Sequence, residues 1–379
     1  MPPKIQLRVS DTQHLTFFRK MVIKPDESIE AGALVDVLGP DGKLVGRGFY
    51  NPRSQVAVRL LSRGAEDGDD FIAARLRAAV ALRHDLLRLP DVTDAYRLCH
   101  AEGDGLSGLV IDRYANTIAV QLFSRGFFLL VDRLKAALAE LFPGATVHVR
   151  ADDEIARLEG FRLPAAPAPP PAAVREHGVE FTVDFEQGHK TGFFCDQRDN
   201  RLLVRALAKD RDALDLCTYT GGFAINAARG GARRVVAVDL DEAALETARA
   251  NAKLNRVKID FLHADLFNYL RQTKDRFDLV VVDPPKMARD RDELPRARRA
   301  YRDMNALALK ALRPGGIIVS CSCSGLVGEE EFLGLLRDAA SLAGREIATF
   351  RIAGAGPDHP VSSLYPEGRY LKVVFSRVR

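Results

Sequence analysis

Long apolar runs are missing from these 379 residues. A membrane-crossing helix needs about 20 consecutive apolar residues; no stretch has that character, and the opening MPPKIQLRVS lacks the apolar core of a secretion signal. A cytoplasmic protein is expected. Cysteine is scarce: Cys99, Cys195, Cys217, Cys321 and Cys323 are odd in number and form no C-x-x-C pairs, which argues against a disulfide framework and against a zinc or other metal site. Net charge is small as well, at +4, so charge permits a polyanionic partner without requiring one. What is present is globular: 47% hydrophobic and 28% charged residues exclude a disordered or collagen-like chain. The length exceeds what one core usually organises, so two or three domains are expected.

Three segments follow from the patterning. Residues 1–70 alternate short apolar runs with turn signals; ALVDVLGPDGKLVGRGFY carries the Gly-Pro-Asp-Gly corner of a hairpin, and SQVAVRLLS reads as another strand. Residues 71–175 form a central α+β module. FIAARLRAAVALRHDLL is a helix by its apolar spacing, and strands surround the Gly-rich turns of AYRLCHAEGDGLSGLVIDRYANTIAVQLF. The Pro/Ala-rich LPAAPAPPPAA at 163–173 reads as a semi-rigid linker or an extended crossing strand. From 176 to 379 the period changes to ALDLCTY, FAINAARGG, RRVVAVDL, EAALETARANAKLN, KIDFLHAD, FDLVVVDPP, MNALALKAL and GGIIVSCSCS. Buried strands alternating with amphipathic helices predict an α/β class, a Rossmann-like parallel doubly wound sheet with ligands at the carboxyl ends of its strands.

The candidate residues fall at those ends. After the strand ALDL, the turn CTYTGGF opens a helix, and Gly221 and Gly222 let backbone amides approach a ligand together with Thr218 and Phe223. The next strand ends in Asp239, a partner for ribose hydroxyls. The third ends in His263-Ala264-Asp265, where Asp265 suits an adenine amino group, and the fourth in Asp283-Pro284-Pro285-Lys286. Without a full G-x-G-x-x-G, and with Asp-Pro-Pro, the set favours S-adenosylmethionine over a dinucleotide. Helix capping by Asp239 and Asp265 is the bland alternative.

Cys321 and Cys323 end the fifth strand at i and i+2, on one face. A nucleophile there fits methylation at C5 of a pyrimidine, a carbon too weakly nucleophilic to attack a sulfonium unaided. A thiolate adding at C6 makes an enamine that accepts the methyl group, and for cytosine Asp283 would hold a proton at N3. Lys286 stands where enzymes acting on exocyclic amines commonly carry an aromatic. The loop after it clusters Lys286, Arg289, Arg291, Arg296, Arg298, Arg299 and Arg302, suited to phosphates or to a solvated face paired with Asp290, Asp292 and Glu293.

These motifs, with GRGFYNPRSQVAVRLLS, EGDGLSGLVIDRY, QGHKTGFFCDQRDNR, DPPK, SCSG and YPEGRYLK, resemble the bacterial large-subunit ribosomal RNA cytosine-C5 methyltransferases that carry an N-terminal PUA domain. The resemblance spans nearly the whole chain. It implies a PUA RNA-binding domain over the first 70 residues and large-subunit ribosomal RNA as partner. The nucleophile would be Cys323, the cysteine of SCSG, with Cys321 as understudy. Gln187, Lys190, Thr191, Phe193, Asp196 and Arg198 would line the cofactor and substrate entrance; Lys190, Arg198, Lys286 and Arg298 are the expected RNA contacts. HLTFFRKMVIKPDE departs from the family's arginine-rich stretch and His-Pro-Trp-type motif, and the chain has no tryptophan. An N2-guanine RNA methyltransferase and a non-catalytic RNA-binding assembly factor are the alternatives, and a monomer or homodimer is expected.

Overall fold

The computed structural model describes residues 2–25, 27–64, 70–186 and 192–379. They pack into two compact units, neither contiguous in sequence: one is Met1–Val174, Val183–Phe193 and Pro357–Gly368, the other Arg175–Thr182, Phe194–Gly356 and Arg369–Arg379. Among the described residues no helix is long and apolar enough to cross a membrane.

The first unit opens with β1 (Lys4–Gln6), β2 (Thr16–Phe18), β3 (Ala33–Leu38), β4 (Leu44–Tyr50) and β5 (Val56–Arg63). They form one sheet in the order β1-β3-β4-β5-β2. The expected Gly-Pro-Asp-Gly corner joins β3 to β4, with Gly42 at φ +77°, where a residue without Cβ meets no steric cost. Alternate residues Ile5, Val35, Val37, Val58 and Leu60 fill one core. The helix α1 (Phe71–Ala81) leads to β6 (Ala95–His100), β7 (Leu109–Tyr114), β8 (Thr117–Leu122), α2 (Arg125–Leu129), α3 (Val131–Leu141), β9 (Thr146–Arg150) and α4 (Asp153–Glu159). Strands β6 to β9 make a four-stranded sheet. Phe49 and Leu61 share a core with Phe71, Leu76, Ile111 and Val120, so the β-rich segment and the central segment pack as one unit. The Pro/Ala-rich stretch has no helix or strand until β10 (Ala172–Glu176) begins.

Strand β10 pairs with β11 (Val179–Val183) through a two-residue turn in which His177 (φ +47°) and Gly178 (φ +75°) are both left-handed, as a right-twisted hairpin requires. Next come α5 (Arg198–Leu207), β12 (Asp212–Leu216), α6 (Gly222–Arg229), β13 (Arg234–Asp239), α7 (Glu242–Leu254), β14 (Asp260–His263), α8 (Leu266–Gln272), β15 (Phe277–Val282), α9 (Leu294–Ala311), β16 (Leu312–Ser322), α10 (Glu329–Ala343), β17 (Ile347–Ala353) and β18 (Lys372–Val378). The seven-stranded sheet runs β14-β13-β12-β15-β16-β18-β17. Its first five strands are parallel, and β13 and β15 carry the near-continuous apolar runs that a sheet covered on both faces demands. Helices α8, α9 and α10 contribute to the core on one face, α5 and α6 to that on the other.

Two expectations are corrected. The sheet is not wholly parallel, because β18 inserts antiparallel between β16 and β17, burying Val373, Val374 and Phe375. The basic segment after Asp-Pro-Pro-Lys is not all loop: from Leu294 it is the first half of the 18-residue α9. Proline in the first turn is compatible with a helix start, and Ala297 and Tyr301 supply the buried face there.

Candidate active site

Strand β12 carries Asp215 one residue before its end, an acid between two leucines and 2% exposed. Its Oδ2 accepts from Thr218 Oγ1 at 2.6 Å and from the Ala224 amide at 2.9 Å. This ties the end of the strand to the start of α6. The intervening turn is sharply bent: Cys217 and Tyr219 sit at φ +60° and +51°, and Gly221 at +85°. Left-handed backbone costs a residue with a Cβ about 1–2 kcal/mol, strain of the kind that gathers at ligand clamps. Gly222 and Phe223 open α6, so their amides, like the first amides of any helix, have no acceptor within the helix. The Phe223 ring is in the core, leaving only its backbone for ligand contact.

Asp239 closes β13 and receives the Tyr219 amide on Oδ2 at 2.7 Å and the Asp241 amide on Oδ1 at 2.9 Å. Asp241, not Asp239, caps α7. Each Asp239 oxygen retains a second lone pair, which is what vicinal hydroxyls need. Asp265 does cap: its Oδ1 accepts from the Asn268 amide at 2.9 Å. The donor set suits an adenosyl ligand, with helix-opening amides, a carboxylate at the second strand and a further carboxyl at the third. The buried Asp215 Oδ1, which lacks a hydrogen-bond partner among the described residues, adds an acceptor at the same strand ends.

Asp283 follows β15, and Gln197 Nε2 donates to its Oδ2 at 3.1 Å. Asn200 Nδ2 fixes that amide by donating to Gln197 Oε1 at 2.8 Å. Burial pushes the Asp283 carboxyl up to about 7, and the neighbouring Asp196 pushes in the same direction; Gln197, Arg201 and Cys321 pull the other way. Asp215 is likewise raised to about 7, chiefly by burial. These two acids at adjoining strand ends therefore do not both ionise freely near neutrality.

The cysteines separate by environment. Cys321 is buried, and burial together with Asp283 pushes its thiol well up. Cys217 is also pushed up, by burial and then by Asp239 and Asp283. Cys323, one residue beyond β16, is half-buried. Its neighbour Ser324 is fully buried and accepts from the Met287 and Ala288 amides at 3.2 and 3.3 Å, with the Tyr301 hydroxyl 2.9 Å away. Ser324 thus clamps the chain after Asp-Pro-Pro-Lys to the cysteine loop.

The strand-end residues expected from sequence, Thr218, Gly221, Gly222, Phe223, Asp239, Asp265, Asp283, Pro284 and Cys323, all lie at the carboxyl edge of one sheet. The expected RNA contacts are dispersed. Lys286 is exposed; Arg298 is exposed and pairs with Glu331; Arg198 is 1% exposed, its Nε 3.2 Å from Asp199; Lys190 lies outside the described residues. Sequence reasoning missed Asp215, Gln197, Tyr370 and Lys372. Tyr370 donates to Asp196 Oδ2 at 2.5 Å. Only Asp215, an acid between two leucines, left a visible signal.

A family model described as an S-adenosylmethionine-dependent methyltransferase matches residues 168–350, and one described as a PUA-like domain matches 11–63. Ribosomal RNA large subunit methyltransferase I of Shewanella denitrificans is 40% identical, covering 92% of this chain and 91% of that protein. The proteins of that name from Vibrio vulnificus and Escherichia coli O9:H4 are each 38% identical, over 95% and 97% of this chain and 94% and 96% of their own. Among solved structures, the SMU.776 methyltransferase complexed with SAH is similar at TM-score 0.84 and 18% identity, over 99% of both chains. A SAM-dependent methyltransferase from Streptococcus mutans is similar at TM-score 0.82 and 18% identity, over 99% of this chain and all of that one. At such identity these two show the fold alone.

Proposed function

Because the chain belongs to the ribosomal RNA large subunit methyltransferase I family and is S-adenosylmethionine-dependent, we propose that it methylates C5 of a cytosine in large-subunit ribosomal RNA through a covalent bond from Cys323. The observation that carries this reading is the juxtaposition of two loops at neighbouring parallel strand ends. One bears Asp283, a carboxyl that holds its proton to about pH 7. The other bears Cys323, a half-buried and hence reachable thiol.

S-adenosylmethionine supplies an electrophilic methyl group. The residues that would hold it are Asp239, Asp265, Thr218 and the amides of Gly222 and Phe223. Cys323 Sγ, as thiolate, bonds to C6 of the base while the C5–C6 π pair moves toward N3, where protonated Asp283 donates its proton. The enamine so formed makes C5 nucleophilic. Once C5 carries the methyl group, loss of its proton to a base re-forms the C5–C6 double bond and expels the thiolate, and N3 returns its proton to Asp283. Gln197 fixes the Asp283 carboxyl, and Ser324 fixes the cysteine loop. The PUA-like segment provides RNA docking, and work on ribosomal RNA places the enzyme in the cytoplasm.

Replacing Cys323 with Ala is the test, using methylation of large-subunit RNA and trapping on RNA containing 5-fluorocytidine. Both should be lost. Methylation that survives the substitution would point instead to an exocyclic amine as target, without a covalent intermediate.

A further inference from the structure

We propose that Lys372 holds Cys323 as a thiolate, its enclosed ammonium acting as the positioning counter-charge for the nucleophile. The proposal rests on the cysteine reading above and assigns it an electrostatic partner.

Lys372 begins β18, opposite Ser322 at the end of β16, and is only 3% exposed. Lysine is almost never so buried unless an anion accompanies it. Here two backbone carbonyls hold the ammonium: Nζ donates to Ser324 O at 2.7 Å, in the residue next to Cys323, and to Tyr370 O at 2.8 Å. An ammonium has three hydrogens, and among the described residues the third has no acceptor and Lys372 has no ion-pair partner. The acids that face it from α10, Glu329 and Glu331, are engaged elsewhere, by Arg369 at 2.7 Å and by Arg298. Enclosure therefore dominates and lowers the ammonium to about 8, with the Cys323 charge the first of the influences that oppose this.

A buried cation whose strongest available counter-ion is a neighbouring thiol is the environment that yields a reactive cysteine. The other thiols at this edge have the opposite surroundings, Cys321 and Cys217 lying among Asp283, Asp239 and Asp215. Asp283 also faces the cysteine loop, as does Tyr301, whose hydroxyl is bonded to Ser322 and Ser324. An acid that keeps its proton to about pH 7 opposes the thiolate little below that pH. The proton balance is simple: Cys323 loses its thiol hydrogen to water, Lys372 keeps its own three, and the ion pair replaces a lone buried cation.

The pH dependence of Cys323 alkylation by iodoacetamide, read by mass spectrometry of that one residue in the full-length protein, tests this. An ordinary thiol is half-alkylated near about pH 8.5. In the wild type the midpoint for Cys323 should lie below that value, and a midpoint at or above it overturns the proposal even if no variant folds. In Lys372→Met the midpoint should rise by about one unit or more, while Lys372→Arg should recover most of the difference. Adduct formation with 5-fluorocytidine RNA should slow roughly tenfold at pH 7 in Lys372→Met, one unit of thiol ionisation, and recover at pH 9. An unshifted alkylation profile in a folded Lys372→Met protein refutes the assignment. Alkylation requires neither RNA nor methyl donor, so this failure is distinct from that of the cytosine reading, which Cys323→Ala alone decides.

Discussion

Asp283 is desolvated at the end of β15, and Asp196 adds to the cost of ionising it. In its proposed role of protonating N3 it is active only in its protonated form. Single-turnover methylation should therefore fall as pH rises through about 7, superimposed on the opposite rise from thiolate formation at Cys323. Asp283→Asn should lower the rate by about 10²–10⁴, the range for loss of a positioned acid, and should abolish the descending limb. A variant that keeps that limb would assign it to another group. Asp239, Asp283 and Cys323 were legible in the sequence because each closes an apolar run, and an apolar run in an alternating α/β pattern places its last residue at the ligand edge. Lys372 was not legible. A lysine at the head of a strand reads as a solvated terminus until the pairing with β16 sets it opposite Ser322 and encloses it.

At the scale of elements, the hairpin of β10 and β11 is joined to α5 by a buried pair in which Arg201 donates to Glu176 at 2.7 and 2.5 Å. Arg201 also donates to Phe194 O at 3.0 Å, and its Cδ would lie 3.0 Å from a Cβ placed on Gly222. Arg201→Met leaves Glu176 charged and buried without its partner, which should cost about 3–5 kcal/mol in urea unfolding. The double replacement with Glu176→Leu should recover a large part, since it removes the stranded charge. Equal losses in the single and double variants would show that packing, not charge, is what Arg201 contributes. The parallel strands were readable from their apolar runs. This hairpin was not, because its His177-Gly178 turn is less familiar than Asn-Gly, and neither was β18, whose partner β17 precedes it by an 18-residue interval that no local pattern bridges.

For the whole molecule, the charged interior of the first unit governs the response to acid. Arg83 is fully buried and donates to Asp104 at 2.6 and 2.8 Å, to Asp358 O at 2.6 Å and to Arg97 O at 2.9 Å. His100 lies within this network, its ring 4.9 Å from that of His359. Burial, then Arg97, His359 and Arg83, lower it to about 2. The folded chain thus binds fewer protons here than the unfolded one. The neutral histidine's contribution is complete above about pH 6.5, and stability is lost as pH falls below it, at up to about 1.4 kcal/mol per unit. Thermal unfolding between pH 6.5 and 4.5, above the range where most carboxylates titrate, should show this slope, and His100→Gln should flatten it. Parallel curves for the two proteins would place the acid sensitivity elsewhere.

The return of residues 357–368 to the first unit bears on the order in which the protein is made. Domains generally fold from the N-terminus as the chain emerges during synthesis. Here the peptide carbonyl that Arg83 needs, and the Asp358 Oδ2 that accepts the Arg97 amide at 2.9 Å, lie 275 and 261 residues downstream of their partners. The first unit therefore waits, with a buried arginine incompletely satisfied, until almost the entire second unit has been synthesised. A message truncated before codon 357 would yield neither unit whole.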